Sequence, residues 1–282
     1  MCRDILIAVV ITRFAPAPTG FLHLGHVVNA LHVWGAARDR GGRVLLRIED
    51  HDRQRSRREY EAAIVEDLAW LGFEADGPLV RQSERDAVYR AALATLAAQD
   101  LVYGCTCSRA SRGGRGLEAP PAAEADAPAL HSEIRYPGTC RDRGIALVDG
   151  ASWRLRIDPG AERFDDVILG PQAQDPSEQC GDLLLRDRLG NWTYQFAVTV
   201  DDFDQGITDV IRGADLLDST GRQMRLARLL GRLHPPRFWH HRLVMKSATE
   251  KLSKSDGDTG VRDLRAAGWS AEAVLARAGN SV

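Results

Sequence analysis

Residues 5 to 50 change hydrophobic period twice, and that change restricts the fold more than any other feature of the chain. A β-branched apolar run, Ile5 to Ile11, precedes a Pro/Gly loop, Ala15 to Gly20. In the next stretch Val27, Val28, Ala30, Leu31, Val33, Trp34 and Ala37 recur at helical spacing, and a second short run follows from Val44 to Ile48. Strand, loop, helix and strand in this order open a parallel sheet, because parallel neighbours need a crossover long enough to hold a helix. With 282 residues, 44% of them hydrophobic, the chain can bury its own core without disulfides. The expected class is α/β.

Residues 57 to 71 and 84 to 99 read as amphipathic helices. The segment Ser108 to Leu130, rich in Ala, Pro, Gly and Arg, has no period and is expected as a surface loop. Ser152 to Ile157 and Asp182 to Asp187 alternate as strands do. A smaller module is therefore expected as an insert over residues 101–190, between a first half at 1–100 and a second at 191–282. Tyr194 to Val200 is expected as a core strand and Ile207 to Ile211 as another. Ser219-Thr220 with Gln223 has the capping-box pattern of a helix running to Leu230.

Lys plus Arg total 37 against 39 for Asp plus Glu, a net charge of −2, so any nucleic-acid contact must use local patches. Ile5 to Ile11 is far shorter than the roughly 20 residues of a membrane span. A signal peptide fits poorly, since Asp4 offsets Arg3 and cleavage after Ala15-Pro16-Ala17 would cut a loop that reads as functional. The expectation is a cytoplasmic monomer with no membrane contact. The five cysteines are an odd number, and Cys105, Cys107 and Cys140 suit a metal site better than a disulfide framework. Cys2 and Cys180 stand alone. Only three of the basic residues are lysines, Lys246, Lys251 and Lys254, all within nine positions. An Arg fork substitutes poorly where a compact ammonium on a flexible stem must reach a phosphate, so the cluster points to function. No Gly-Lys pair occurs, which excludes a P-loop.

Two segments carry chemistry. Pro18-Thr19-Gly20-Phe21-Leu22-His23-Leu24-Gly25-His26 lies where a strand passes through a loop into a helix N-terminus, whose N–H groups and positive dipole end attract anions. His23 and His26 would reach the same phosphate, and Gly25 leaves room for a flat base. A His-x-x-His pair alone also fits a helix cap or a metal. Lys251-Leu252-Ser253-Lys254-Ser255 is polar, leads into Asp256-Gly257-Asp258, and can close over a triphosphate to stabilise charge on the α-phosphate and pyrophosphate. Alone, it reads equally as a solvated loop.

Together and in this order the two segments resemble the HIGH and KMSKS signatures of class I aminoacyl-tRNA synthetases. The resemblance narrows to the glutamyl/glutaminyl branch through several further matches. These are Arg13-Phe14-Ala15-Pro16-Ala17-Pro18-Thr19-Gly20, Leu46-Arg47-Ile48-Glu49-Asp50 with Asp52, and Gln82-Ser83-Glu84-Arg85, then Tyr194-Gln195-Phe196-Ala197-Val198-Thr199-Val200-Asp201-Asp202 and Ile211-Arg212-Gly213-Ala214-Asp215-Leu216-Leu217. Full glutamyl-tRNA synthetases carry a substantial anticodon-binding region after the Lys loop, whereas only residues 256–282 follow it here. The chain is thus most similar to the short glutamyl-Q tRNA(Asp) synthetases, and no anticodon-binding domain is expected.

That resemblance implies a Rossmann-like catalytic domain with a parallel sheet, interrupted by a zinc-containing α+β module. It implies activation of L-glutamate with ATP and Mg²⁺, and transfer of glutamate to queuosine in the anticodon loop of tRNA(Asp). His23, His26, Lys251 and Lys254 take the catalytic positions, and His23, Gly25, His26 and Lys254 those that bind ATP. Arg13, Phe14, Ala15, Pro16, Ala17, Glu49, Tyr194 and Arg212 match positions that hold glutamate. Two carboxylates need two cations, and Arg forks bind carboxylates bidentately. Arg13 is assigned the side-chain carboxylate and Glu49 the ammonium, with a pairing of Glu49 and Arg212 inside the core as the bland alternative. The resemblance puts Tyr136 beside Cys105, Cys107 and Cys140 as fourth zinc ligand, with His131 as competitor on ordinary ligand preference.

Arg222, Arg225, Arg228, Arg232, Arg237 and Arg242 form a basic stripe that suits tRNA phosphates or a solvated helix face. Asp209 departs from the family's histidine and is expected to weaken a tRNA or nucleotide contact. Glu250 replaces a small residue. Two rival functions remain: a truncated glutamyl-tRNA synthetase charging the tRNA 3′ end, and a non-catalytic zinc-containing RNA-binding paralogue.

Overall fold

The computed structural model describes residues 9–107, 135–243 and 260–280. Strand β1 (Ile11–Phe14) pairs in parallel with β2 (Arg43–Ile48), Ile11 opposite Arg43 and Phe14 opposite Leu46, and β2 pairs in parallel with the short β3 (Val80–Arg81). Helix α1 (Leu24–Arg38) makes the crossover and buries Val27, Val28, Ala30, Val33 and Ala37. The strand that forms begins where the expected one ends. Residues 5–8 lie outside the described ones, and pairing starts at Ile11, which brings Arg13 into the strand.

Helices α2 (Arg58–Trp70) and α3 (Asp86–Ala97) follow the periodicity, α3 after a 3₁₀ turn over Gln82–Glu84. The expected strand from Tyr194 to Val200 is instead helix α5 (Tyr194–Asp204), a correction with a clear cause. This helix buries every residue from Phe196 to Asp202, polar ones included, so it lacks the exposed polar face that marks a surface helix, and its short apolar run reads equally as a buried strand. The Thr199 hydroxyl is satisfied within the helix, donating to the Gln195 carbonyl at 2.7 Å.

The second sheet has the order β7-β6-β10-β9, from β6 (Glu162–Asp166), β7 (Gly170–Gln174), β9 (Asp209–Gly213) and β10 (Arg237–His241). β10 is parallel to both β9 and β6, and β6 and β7 form an antiparallel hairpin. Thr208 joins this sheet to β1: its N–H donates to the Ile11 carbonyl at 2.8 Å, and its Oγ1 accepts from the Ile11 N–H at 2.8 Å. From β1 the strands therefore run one way to β2 and β3, and the other way to β9 and β10. Such a reversal leaves a crevice at the carboxyl ends of the strands, where ligands of open α/β sheets bind.

A third, antiparallel sheet, β4-β5-β8, comprises β4 (Val102–Cys105), β5 (Ser152–Leu155) and β8 (Leu183–Arg186). The short α4 (Pro176–Gln179) precedes β8. Helix α6 (Thr220–Leu229) starts as expected but without the capping box: Ser219 makes no side-chain cap bond, and Thr220 and Gln223 are committed to Arg212. Helices α7 (Val261–Ala266) and α8 (Ala271–Gly279) close the described chain, and α8 packs on α1 through Val274 and Ala278. Among the described residues no helix is long and apolar enough to cross a membrane.

Candidate active site

Each end of the crevice is built from a different kind of backbone feature. At the start of α1, His23 is the N-cap. Its Nδ1 accepts from the Gly25 N–H at 3.0 Å, while the His23 N–H donates to His26 Nδ1 at 3.1 Å. The rings lie 4.0 Å apart, centroid to centroid. This is a capping box made by two imidazoles. A neutral ring whose Nδ1 accepts must carry its proton on Nε2, so both rings are set as Nε2–H donors above a helix N-terminus. The helix-cap and phosphate readings of the pair are thus compatible: one nitrogen of each ring caps, and the other is a donor.

Arg13 near the end of β1, Glu49 just past β2 and Arg212 near the end of β9 come together at the carboxyl edge of the strands. The Arg13 Nε–H donates to Asp202 Oδ1 at 2.9 Å, and its Nη1 reaches the Ile211 carbonyl at 3.5 Å. Tyr194, first residue of α5, lies within electrostatic reach of Glu49, Arg212 and Arg13, and burial followed by Glu49 pushes its phenol up. Two guanidiniums beside a phenol make a seat for an anion, with Glu49 offering a carboxylate to a cation next to it.

Glu49 and Arg212 do not pair with each other. Glu49 accepts from Arg47 Nη2 at 3.2 Å, and Arg212 donates to His240 Nε2 at 3.0 Å, Gln223 Oε1 at 2.8 Å and Thr220 Oγ1 at 2.8 Å. Burial raises the Glu49 carboxyl above its ordinary value, against the opposing pull of Arg47. The Glu49 N–H donates to the Pro16 carbonyl at 3.0 Å, which ties the Ala15 to Gly20 loop to β2. Pro16 is buried, with Ala15 and Ala17 partly exposed on either side. The Phe14 ring belongs to the core, 5.4 Å from Trp34, so only its backbone is available to a ligand.

Sequence reasoning missed the frame beneath these residues. Fully buried Arg47 donates to Asp202 Oδ1 at 2.8 Å and Gln205 Oε1 at 2.8 Å as well as to Glu49. Asp201 accepts from Gln82 at 2.7 Å, Arg85 at 2.6 Å and Tyr89 at 2.9 Å. The motifs around 47, 82 and 201 therefore act partly as mutual ion partners. Only the proximity of Arg47 to Glu49 in one alternating strand hinted at this.

Lys251 and Lys254, with Lys246, Glu250 and His131, lie outside the described residues. The residue that follows their segment does not: Gly260 forms an antiparallel bridge with His23, and the Val261 N–H donates to the Leu22 carbonyl at 2.8 Å. On the other side of the segment, His241 Nε2 is 3.1 Å from Asn29 Oδ1 of α1.

The basic stripe is only partly a free surface: Arg228, Arg237 and Arg242 are exposed and the others are drawn inward. Arg222 and Arg225 are buried. Arg225 holds Glu162 and donates to the carbonyls of Asp158 and Gly160, Arg228 reaches Glu162 at 2.6 Å, and Arg232 holds the Ile207 carbonyl. Asp209 is fully buried with Arg237 at 2.9 Å and the Trp239 Nε1–H at 3.0 Å, so it fastens β9 to β10 at the end away from the crevice.

The three cysteines meet. The sulfurs of Cys105, Cys107 and Cys140 lie within 4.8 Å of one another. Tyr136 Oη stands 3.4 Å from Cys105 Sγ and 3.8 Å from Cys107 Sγ, and accepts from the Cys140 N–H at 2.9 Å. Gly181, at φ +66°, lets the chain bridge to Tyr136, since a Cβ there would sit 2.2 Å from the Tyr136 carbonyl oxygen.

A family model for the catalytic domain of class I tRNA synthetases (E and Q) matches residues 9–279. The chain belongs to the class I glutamyl- and glutaminyl-tRNA synthetase family. Within that family it is 46% identical over 248 residues to a glutamyl-Q tRNA(Asp) synthetase of Bordetella bronchiseptica, covering 88% of this chain and 75% of that protein. It is 42% identical over 274 residues to that of Rhodobacter capsulatus, covering 92% and 96%. Two solved family structures also match. A glutamate tRNA ligase from Elizabethkingia meningosepticum, crystallised with its amino acid, has a TM-score of 0.72 at 30% identity, covering 88% of this chain and 52% of that one. A glutamate-tRNA synthetase from Elizabethkingia anophelis has a TM-score of 0.73 at 30% identity, covering 89% and 53%. The chain thus spans about half the length of these two solved synthetases.

Proposed function

We propose that the protein activates L-glutamate with ATP and transfers it to queuosine in the anticodon loop of tRNA(Asp), acting as a cytoplasmic monomer. The observation that carries this reading is the convergence of Arg13, Arg212, Tyr194 and Glu49 at the strand reversal, beside the capped His23–His26 pair. The relatives named glutamyl-Q tRNA(Asp) synthetase support the acceptor.

Arg13 and Arg212 bind the glutamate carboxylates, Arg13 the side chain's, while Glu49 takes the ammonium and Tyr194 donates its hydroxyl. Backbone groups of Phe14, Ala15, Pro16 and Ala17 line the amino-acid end. The glutamate α-carboxylate attacks the α-phosphate of ATP in line and pyrophosphate departs; a nucleoside hydroxyl of the tRNA then attacks the acyl carbon of the adenylate, forming the ester and releasing AMP, and Mg²⁺ would supply charge neutralisation on the phosphates when bound. The Nε2–H groups of His23 and His26, with the ammonium groups of Lys251 and Lys254, stabilise the charge that builds on phosphate oxygens. The bridge from Gly260 to His23 supports this, because it ties the end of the Lys segment to the histidine pair. Gly25 gives the base room. A Cβ on it would lie 2.8 Å from His23 Cε1, so Gly25→Ala is expected to push the ring off its cap. The KM for ATP should rise by about tenfold, the equivalent of ~1.4 kcal/mol, with the KM for glutamate little changed.

Residues 1–100 and 191–282 form the two halves of the catalytic domain in this reading. Residues 101–190 are the insert, with β4-β5-β8 as its own sheet and β6–β7 reaching back to β10. Cys105, Cys107, Cys140 and Tyr136 would hold a structural zinc there. The fit is chemical: three clustered thiols, two of them buried, with a phenol oxygen against two of the sulfurs. Burial opposes ionisation of Cys140, yet the Thr106 backbone and the neighbouring thiol bring it to about 6, ready for a cation. Tyr136→Phe should weaken zinc retention by at least about tenfold, read as metal content after chelator challenge. Retention as firm as in the parent would exclude Tyr136 as a ligand.

Mapping labelled glutamate on tRNA(Asp) tests the acceptor. Labelling should survive enzymatic removal of the 3′-terminal adenosine and should require a queuosine-bearing tRNA. Label lost with the 3′-terminal adenosine would instead favour the truncated glutamyl-tRNA synthetase.

A further inference from the structure

His240 has no part in the chemistry above, yet it is among the most enclosed polar side chains in the molecule. Its side chain and that of Asp166 are both fully buried, with His240 Nδ1 2.6 Å from Asp166 Oδ2. The other ring nitrogen, Nε2, faces the Arg212 Nε–H at 3.0 Å and the Thr220 hydroxyl at 3.1 Å. Arg212 keeps its Nε proton under all ordinary conditions, so Nε2 must present a lone pair to it. The ring proton then lies on Nδ1, pointing at the carboxylate, which is the tautomer a carboxylate partner fixes.

We infer that Asp166 and His240 are a positioning pair that locks the His240 ring as the Nδ1–H tautomer, so that Nε2 aims the Arg212 guanidinium at glutamate. The inference rests on the proposed glutamate site. Thr220 and Gln223 hold the two terminal nitrogens of Arg212 while His240 holds Nε, so the fork is fixed at all three nitrogens. The pair stays in its working charge state. Burial, then Arg212, brings His240 down to about 4. Burial alone would raise the Asp166 carboxyl, but the Leu169 N–H, His240 and the Ile168 N–H hold it below the ordinary value.

The hairpin turn makes a sharp test possible. Asp166 Oδ1 already accepts from the N–H groups of Ile168 and Leu169, each at 2.9 Å. In Asp166→Asn the amide oxygen must stay with those two donors, which turns the amide N–H groups toward His240 Nδ1. The imidazole proton is forced onto Nε2, against the Arg212 Nε–H, and the fork loses its hold. An Asp→Asn exchange that imposes the wrong histidine tautomer is costly in serine proteases for the same reason.

The expected result is a rise in the glutamate KM of about 10- to 100-fold in ATP–pyrophosphate exchange, with the ATP KM within about twofold of the parent. His240→Gln keeps an acceptor for Arg212 and has no tautomer, so adding Asp166→Asn to it should have little further effect. Nitrogen-15 NMR of histidine-labelled protein, assigned by comparison with His240→Gln, should show an Nδ1–H imidazole in the parent and an Nε2–H imidazole in Asp166→Asn. An Nε2–H signal in the parent overturns the inference whether or not the variant folds. Equal losses for glutamate and ATP, or an equal cost of Asp166→Asn in the His240→Gln background, overturn it too. A parent that fails to exchange defeats the glutamate reading and leaves the tautomer to the NMR measurement.

Discussion

Replacing Arg47 with methionine is expected to lower the thermal unfolding midpoint by about 10 °C. Arg47 is fully buried and donates to Asp202, Glu49 and Gln205. Removing one partner of a buried charge set costs ~3–5 kcal/mol, because the carboxylates left behind have lost their compensation. At about 2–4 °C per kcal/mol for a chain near this size, the shift is large. Asp202 keeps Arg13 and Asp201 keeps Arg85, so Glu49 is left worst off. The pH dependence follows by sign. In the parent, burial works against ionised Asp202, but Arg13 and Arg47 outweigh it and hold its carboxyl below the ordinary range. A depressed folded pKa gives stability that is present above the unfolded value near ~4 and is lost as pH falls through the folded one. In Arg47→Met the Glu49 carboxyl, already raised by burial in the parent, loses the lowering pull of Arg47 and rises further, so the deficit should be larger at pH 8 than at pH 5. Arg55→Met is the control: Arg55 meets Asp52 at an exposed site, and its loss should cost under about 1 kcal/mol. A midpoint for Arg47→Met within the control's range would show that the network under the site is dispensable.

Arg13→Leu should lower kcat/KM for glutamate in the exchange reaction by about 10²–10³-fold, the scale set by removing one charged partner of a desolvated ion pair. The fold should survive better than in Arg47→Met, since Asp202 keeps Arg47 at 2.8 Å. ATP affinity should change little, because the histidine cap lies on α1 and does not use Arg13. If Arg13 holds the side-chain carboxylate, the small preference left in Arg13→Leu should shift toward glutamine, whose neutral amide loses less from the missing charge. An unaltered glutamate KM would remove Arg13 from the site.

The opening strand–loop–helix–strand unit was legible because α1 carries a helical period between two short β-branched runs. The cysteine cluster was legible from spacing, since Cys105 and Cys107 flank one position and Cys140 follows within the same segment, while Cys2 and Cys180 stand alone. The helix Tyr194–Asp204 was not: a helix buried on all sides has no amphipathic period, and its β-branched residues suggest a strand. The burial of Arg222 and Arg225 on α6 was not legible, because the partners of such residues are distant in sequence. Arg225 is neutralised by Glu162, and no local pattern separates it from Arg228, which stays exposed on the same helix. His240 was invisible for the same reason, its partner Asp166 lying on another strand of the sheet. Residues that touch substrate could be matched to a family motif. Residues that aim them required coordinates.

The most direct test of the central claim, that two fixed arginines and a histidine-capped helix form one glutamate-activating site, is ATP–pyrophosphate exchange with glutamate, glutamine and aspartate in parallel, without tRNA. The account predicts exchange with glutamate alone. Equal exchange with glutamine, or none with any of the three with or without tRNA, would contradict it.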